Sequence, residues 1–226
     1  MDNKTKDKLY QFLFSLITEE RKSLFEKVID YRTKHFTVVL ENIYQPHNAS
    51  AVLRSCDLTG IQDVHIIENN NEYTPNPEVA MGSAKWLNLH KYQHETDNTL
   101  QTINYLKQQG YKIVATTPHK ESYSPHNLPI DEKTALLFGT ELSGLSDVAI
   151  ENADEFVKIP QFGFTESYNI SVSVALLLYT LINRLHSSNI NWQLSDEERS
   201  NIMLEWTRRS IKRSDIIEAQ FLKELK

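Results

Sequence analysis

The pattern of apolar and polar positions is most informative in residues 156–185. Residues 156–159 are largely apolar and predict a strand, which Pro160 and Gly163 would end. The polar residues 165–169 predict a loop. Beyond the loop, apolar side chains at helical spacing predict a helix with one apolar face, formed by Val174, Leu177, Leu178, Leu181 and Leu185. A second apolar face is formed by Val172, Ala175, Leu176 and Tyr179, so we expect this helix to be buried on most sides.

Upstream of this stretch, short apolar runs alternate with helical patterns. The apolar runs predict strands at residues 36–40, 64–67, 87–92, 112–116 and 134–138. Helical patterns cover residues 99–109 and 145–152, and polar residues 68–80 and 118–129 predict long loops. This alternation is typical of an α/β fold with a doubly wound parallel sheet.

A further helix is predicted between the first two strands, ending near Leu58 and Gly60. Proline restricts the residue before it, and we expect Pro46 to prevent an early helix start. Asn48 or Ser50 would then cap the helix.

The two ends of the chain differ from the middle. Residues 4–31 predict two helices, or one broken helix, with a bend at 18–21. Residues 195–198 match a capping box and predict the start of a helix. A last amphipathic helix would bury Ile216, Phe221, Leu222 and Leu225. We therefore divide the chain into an N-terminal helical extension at 1–35, an α/β domain at 36–187 and a C-terminal helical tail at 188–226.

Composition restricts the class of protein. The chain has 226 residues, of which 40% are hydrophobic and 24% charged, as in a soluble globular protein. It has no apolar run of about 18 residues, so we expect no membrane partner. Its single cysteine, Cys56, cannot form an intrachain disulfide and is expected to be a buried packing thiol. A cytoplasmic location is expected from this cysteine usage and from an N-terminus without a signal-peptide pattern.

Charge is unevenly distributed along the chain. The net charge is −6, but residues 1–35 carry +2, residues 199–226 carry +3 and residues 36–198 carry −11. The basic residues of the tail concentrate in one short run, namely Arg208, Arg209, Lys212 and Arg213. Such a run favours contact with the phosphates of a nucleic acid. A solvated helix face is the alternative.

The polar loop at 165–169 is a candidate ligand site because it joins the end of a strand to the start of a helix. Helix N-termini offer unpaired N–H groups and the positive end of the helix dipole. Ser167 or Asn169 could equally be a simple N-cap.

Three segments in order carry a family resemblance. Residues 41–57 contain N-x-x-A-x-x-R through Asn48, Ala51 and Arg54. Residues 136–146 end in F-G-x-E-x-x-G-L-S through Gly139, Glu141, Gly144, Leu145 and Ser146. The third segment contains I-P followed by S-x-N-x-S-x-S-x-A, through Ile159, Pro160, Ser167, Asn169, Ser171, Ser173 and Ala175. Over about residues 36–187, the chain resembles the SpoU/TrmH branch of the SPOUT superfamily of RNA 2′-O-methyltransferases.

The resemblance implies a fold, a cofactor and an assembly. SPOUT domains have a C-terminal trefoil knot, which here would involve about residues 112–185, and they are typically homodimers. The cofactor would be S-adenosylmethionine. Its binding residues are implied to be Thr116, Gly139, Ile159, Pro160 and Tyr168. Strand packing and strand termination alone could also account for Ile159 and Pro160.

The resemblance also implies catalytic residues, namely Arg54, Asn48, Glu141, Ser167 and Asn169. Arg54 would act with an RNA phosphate on the 2′-hydroxyl, either as a cation or, if neutral, as a base. Arginine normally stays protonated, which favours the cation. Glu141 would orient Arg54 or a donor of a partner subunit, and it could instead be a surface cap. Asn48 could flank the same pocket, cap its helix or do both.

The arrangement of the whole chain is similar to that of family members that methylate the D-loop guanosine at position 18 of tRNA. Another tRNA nucleotide or ribosomal RNA is an alternative target. An RNA-binding protein with a degenerate methyltransferase domain remains a second class of function. A non-RNA α/β enzyme is less favoured, because the chain lacks the P-loop and G-x-G-x-x-G motifs.

Overall fold

The described part of the chain contains six parallel strands and eight α-helices. The computed structural model describes residues 1–43, 45–69, 82–93, 97–117 and 122–225. In chain order, the strands are β1 Phe36–Glu41, β2 Asp63–Ile67, β3 Asn88–Tyr92, β4 Lys112–Thr116, β5 Thr134–Phe138 and β6 Glu155–Val157. The helices are α1 Asn3–Ser15, α2 Glu19–Ile29, α3 Pro46–Leu58, α4 Asn98–Gln108, α5 Asp147–Glu151, α6 Ile170–His186, α7 Asp196–Ser210 and α8 Ser214–Glu224. Residues 83–85 add one turn of 3-10 helix.

The strands form one sheet in the order β3-β2-β1-β5-β4-β6, and every neighbouring pair is parallel. All residues of β1, β2 and β5 are buried, which explains their nearly unbroken apolar runs. Helices α3 and α6 pack on one face of the sheet around Val38 and Leu40. Helices α4 and α5 pack on the other face around Val39. The predicted α/β class with a parallel sheet is confirmed.

The chain divides into two units. Residues 33–192 contain the sheet and its covering helices, whereas residues 1–32 and 193–226 together form a helical unit. The three-part division made from the sequence stays a prediction. In the helical unit, Leu9, Leu13 and Leu204 form a small core. The predicted capping box at Ser195 and Glu198 is present and starts α7.

Two local predictions were wrong or shifted, and a third was confirmed. Helix α3 begins at Pro46, not at Asn48 or Ser50. Proline suits the first helical position because its missing N–H would have no helical partner there. Strand β6 ends at Val157, two residues earlier than expected. Cys56 is buried, as predicted.

The second apolar face of α6 is exposed, contrary to our expectation. Val172 and Leu176 are 43% and 42% exposed, and Tyr179 is 70% exposed. Only the Val174–Leu185 face packs in the core. The predicted loop at 68–80 lies outside the described residues from residue 70 onward, as do residues 118–121 of the second predicted loop. Across the described residues, no helix is both long enough and apolar enough to cross a membrane.

Candidate active site

A cleft of about 450 Å³ opens where β4, β5 and β6 end. The carboxyl ends of parallel strands meet at one edge of a sheet, and ligands of α/β proteins bind there. Residues from four segments line the cleft: 116–117 at the end of β4, 138–150 after β5, 157–161 after β6, and 166–173 at the start of α6. We call residues 139–146 the cleft loop.

Glycine is required where the cleft loop begins. The loop folds back on itself through two hydrogen bonds of 3.0 Å between the backbones of Thr140 and Gly144. Gly144 has φ +69°, a left-handed conformation that favours glycine. A Cβ atom on Gly139 would lie 2.1 Å from the carbonyl carbon of Gly144. The two glycines of the motif therefore permit a turn too tight for a side chain.

Glu141 joins the three motif segments. Its Oε1 accepts hydrogen bonds from the Nδ2 atoms of Asn48, at 3.0 Å, and Asn169, at 2.5 Å. The backbone N–H of Ile170 also points at this oxygen, at 3.3 Å. Asn169 further donates to Oδ1 of Asn48 at 3.0 Å. Three residues that are distant in sequence thus form one polar cluster.

Asn169 is both an N-cap and a member of this cluster. Its Oδ1 accepts from the backbone N–H of Ser171 at 2.9 Å, which caps α6. The Ile170 N–H is directed at Glu141. The first N–H groups of α6 that we expected to be open to a ligand are therefore already engaged, and the Glu141 carboxylate faces the positive end of the helix dipole. Asn169 therefore combines the two predicted roles, since it caps α6 and also belongs to the polar cluster of the candidate site. For Asn48, α3 already starts at Pro46, so its side chain links to Glu141 instead of capping.

Arg54 lies on the exposed side of α3. It makes no hydrogen bond or ion pair within the described part of the chain. The expected contact between Glu141 and Arg54 is therefore not formed within those residues. An unengaged guanidinium can contact an external phosphate or a second chain.

The other candidate cofactor residues lie around the cleft. Thr116, Gly139, Ile159 and Tyr168 line it, as does the candidate catalytic residue Ser167. Thr116 also anchors the strand edge, because its hydroxyl donates to the carbonyl oxygen of Leu137 at 2.8 Å. Pro160 is exposed and is not among the described residues that line the cleft.

The basic run of the tail lies in the helical unit. Arg208 is held by two glutamates: its Nε and Nη2 donate to Glu218 at 2.8 and 2.6 Å, and its Nη1 contacts Glu205. These hydrogen bonds are the main reason why the pKa of Arg208 is raised despite partial burial. Lys212 and Arg213 are exposed, and Arg213 has φ +60° where α8 begins. Contact between this run and RNA stays a prediction.

Sequence reasoning missed several residues of the cleft. Lys158, Gln161 and Glu166 line it, and so does Asp147 at the start of α5. Lys158 and Gln161 directly flank the Ile159–Pro160 pair, so their proximity to the motif could have indicated them. Among the described residues, the charged groups that line the cleft are thus three carboxylates, those of Glu141, Asp147 and Glu166, and one ammonium group, that of Lys158.

Known proteins match this chain in sequence and in fold. The model of the SpoU rRNA Methylase family matches residues 35–179. Over 206 residues, the chain is 46% identical to a tRNA (guanosine(18)-2′-O)-methyltransferase of Borreliella burgdorferi, covering 91% of this chain and 93% of that protein. It is 31% identical to the enzyme of the same name from Thermus thermophilus, over 85% of this chain and 98% of the relative.

A solved structure agrees with these sequence matches. The A. aeolicus TrmH/SpoU tRNA modifying enzyme superposes with a TM-score of 0.77 at 28% identity, covering 86% of this chain and 98% of that one. The chain belongs to the SpoU methylase family. The resemblance indicated by the three motifs is confirmed.

Proposed function

We propose that this protein transfers a methyl group from S-adenosylmethionine to a ribose 2′-hydroxyl of tRNA, at the D-loop guanosine in position 18. The observation that carries the proposal is the cluster of Asn48, Glu141 and Asn169, which joins all three motif segments beside one cleft. The relatives from B. burgdorferi and T. thermophilus, which carry the name of this activity, support the choice of substrate.

The cleft fits the proposed cofactor. Its volume of about 450 Å³ is within the range of small-molecule sites, roughly 300–1,000 Å³. Three carboxylates against one ammonium group favour a ligand that carries a positive sulfonium centre. We assign Thr116, Gly139, Ile159 and Tyr168 to cofactor contacts, with Pro160 limiting the loop beside them. The cofactor would supply the methyl group, and the chain would orient the acceptor and exclude water.

In this proposal, Arg54 contacts the RNA phosphate and stabilises negative charge that develops on the 2′-oxygen. Its exposure and its lack of a partner within the described residues leave the guanidinium available for this role. Asn48, Glu141, Asn169 and Ser167 would hold the motif segments together around the acceptor. Since arginine stays protonated at neutral pH, we favour the cation over the base.

Replacing Arg54 tests this assignment. Arg54→Ala should lower methyl transfer by about 10²–10³-fold, as expected for the loss of one electrostatic stabiliser. Cofactor affinity and the unfolding midpoint should be unchanged, because the side chain is exposed and makes no hydrogen bond or ion pair within the described chain. Arg54→Lys, which keeps the charge without the planar fork, should be intermediate. Near-normal turnover in Arg54→Ala would remove Arg54 from the mechanism.

The substrate is tested with matched tRNA transcripts. The protein is incubated with radiolabelled S-adenosylmethionine and an unmodified tRNA, and the labelled nucleotide is mapped. We expect label on guanosine 18 and none on the same tRNA carrying 2′-deoxyguanosine at that position. Label on another tRNA nucleotide or on ribosomal RNA would keep the reaction but change the target. Cofactor binding without label on any RNA would favour the degenerate-domain alternative.

We also propose that the protein acts as a homodimer in the cytoplasm and that residues 112–185 contain a trefoil knot. The exposed apolar face of α6 supports pairing with a second copy. Cys56, the single cysteine of the chain, is buried and compatible with a reducing compartment. We assign tRNA backbone contacts to Arg209, Lys212 and Arg213, with Arg208 bound to glutamates beside them.

A further inference from the structure

A buried carboxylate lies behind the cleft loop, and it is not one of the residues that match the three motifs. Glu41 is the last residue of β1 and only 2% exposed. Its Oε2 accepts from the backbone N–H of Ser146 at 2.8 Å. Its Oε1 accepts from the hydroxyl of Ser146 and from that of Thr99, each at 2.6 Å. Glu41 thus accepts three hydrogen bonds of 2.8 Å or less, and two of the three donors belong to Ser146.

Ser146 is the point at which the cleft loop ends. Its hydroxyl also accepts from the N–H of Ala149 at 3.2 Å and so caps α5. The loop begins beside Glu41, since Leu40 pairs with Phe138 in the register of β1 and β5. The start of the loop is fixed by the close approach of Gly139 to Gly144. Its end is fixed by Glu41.

The cleft depends on the conformation of this loop. Residues 138–147 supply nine of the residues that line the cleft, including Gly139 and Glu141. If the Glu41 carboxylate were lost, the N–H and hydroxyl of the half-buried Ser146 and the hydroxyl of the buried Thr99 would lose their acceptor. Unpaired buried donors are costly, so the loop end would move toward water.

We propose that Glu41 is a positioning residue that holds the cleft loop in the shape that binds the cofactor. The inference rests on the proposed function, because it assigns the loop to S-adenosylmethionine. Glu41 does not line the described cleft, so its effect reaches the cofactor through Ser146.

Glu41→Gln tests the proposal because it keeps the size of the side chain and removes one acceptor. The affinity for S-adenosylmethionine should fall roughly tenfold, the cost of one mispaired buried donor. The KM for S-adenosylmethionine should rise while kcat at saturation changes little.

The matched control is Glu68→Gln. Glu68 directly follows β2, and its side chain is only 4% exposed. Its Oε1 accepts from the Nζ of Lys91 at 3.4 Å, and it is not among the described residues that line the cleft. This control should leave cofactor affinity unchanged even if it lowers the unfolding midpoint.

A second pair of variants acts at Ser146. Ser146→Ala should weaken cofactor binding, whereas Ser146→Thr, which keeps the hydroxyl, should restore it. Hydrogen–deuterium exchange of residues 139–146 gives a readout that needs no cofactor. Exchange should be faster in Glu41→Gln than in the natural protein and unchanged in Glu68→Gln.

Three results would overturn the proposal. The first is unchanged exchange and affinity in Glu41→Gln. The second is an equal loss of affinity in Ser146→Ala and Ser146→Thr, and the third is an equal loss of affinity in Glu41→Gln and Glu68→Gln. If the natural protein itself binds no S-adenosylmethionine, the proposed function fails, and the exchange data alone still decide whether Glu41 holds the loop.

Discussion

His65 is a buried base that folding keeps neutral. It is 3% exposed in the middle of β2, its ring stacks on His90 at 4.6 Å, and its Nδ1 lies 2.8 Å from the hydroxyl of Tyr92. Burial lowers the pKa of His65 to about 3, and positive charge on His90 and Lys34 acts in the same direction. Asp63 opposes this shift but does not outweigh it.

This environment predicts a loss of stability in mild acid. The unfolded chain binds a proton at His65 below about pH 6.5, whereas the folded chain does not until about pH 3. The free energy of unfolding should therefore fall as the pH drops from 6.5 toward 3, by roughly 2 kcal/mol between pH 7 and pH 5. Chemical denaturation at these two pH values measures it.

The control for this prediction is His65→Gln. Burial also lowers the pKa of His35 and His186, but both residues are present in the two proteins and contribute equally. The natural protein should lose roughly 2 kcal/mol more than the variant between pH 7 and pH 5. Equal losses would show that His65 is protonated in the folded state.

The residue scale also shows what the sequence can predict about the site. The family resemblance of the three motifs indicated Asn48, Glu141 and Asn169, and the parallel strands bring the three motif segments to one edge of the sheet. Spacing could not indicate that Glu141 would bond to the two asparagines and not to Arg54, since that depends on where α3 begins. Glu41 was missed because a charged residue at the end of an apolar run is also the ordinary signal of a strand that reaches water.

At the scale of elements, the turn after β5 is set by backbone packing. Gly139→Ala would place a Cβ 2.1 Å from the carbonyl of Gly144, and a backbone atom cannot rotate away as a side chain can. We expect a loss of about 1–3 kcal/mol in the free energy of unfolding and a loss of cofactor binding, measured by denaturation and calorimetry.

Gly163→Ala is the matched control, because no atom lies within 4 Å of the Cβ position at Gly163. This exposed glycine should tolerate the change within about 0.5 kcal/mol. If both variants bound the cofactor normally, the tight turn after β5 would not be needed for the cleft.

Element boundaries were predicted less well than element types. The strands β1, β2 and β5 followed directly from apolar runs because both faces of these strands are buried. The predicted start of α3 was wrong because Pro46 does not delay the helix but occupies its first position. Periodicity could not show that one apolar face of α6 is exposed. Apolar side chains recur at the same helical spacing whether the face that they form packs in the core or is exposed.

At the scale of the whole molecule, that exposed face becomes informative. Val172, Leu176 and Tyr179 recur at intervals of four and three residues, so they form one apolar stripe on α6. Two fully exposed aromatic residues, Phe162 and Phe164, lie in the segment just before α6. Large apolar side chains exposed in this number are typical of a protein interface. Our proposal of a homodimer places a second copy of the chain against it.

This arrangement predicts that one charge on the stripe separates the subunits. Leu176→Glu would bury a carboxylate without a partner in the interface, and this cost should dissociate a homodimer at micromolar concentration. Light scattering should give twice the chain mass of 26.2 kDa for the natural protein and the single mass for the variant. Leu225→Glu is the control, since Leu225 is similarly exposed, at 40%, but lies after α8 in the helical unit. If Leu176→Glu remained dimeric, or if the natural protein were monomeric, the α6 stripe would not be the dimer interface.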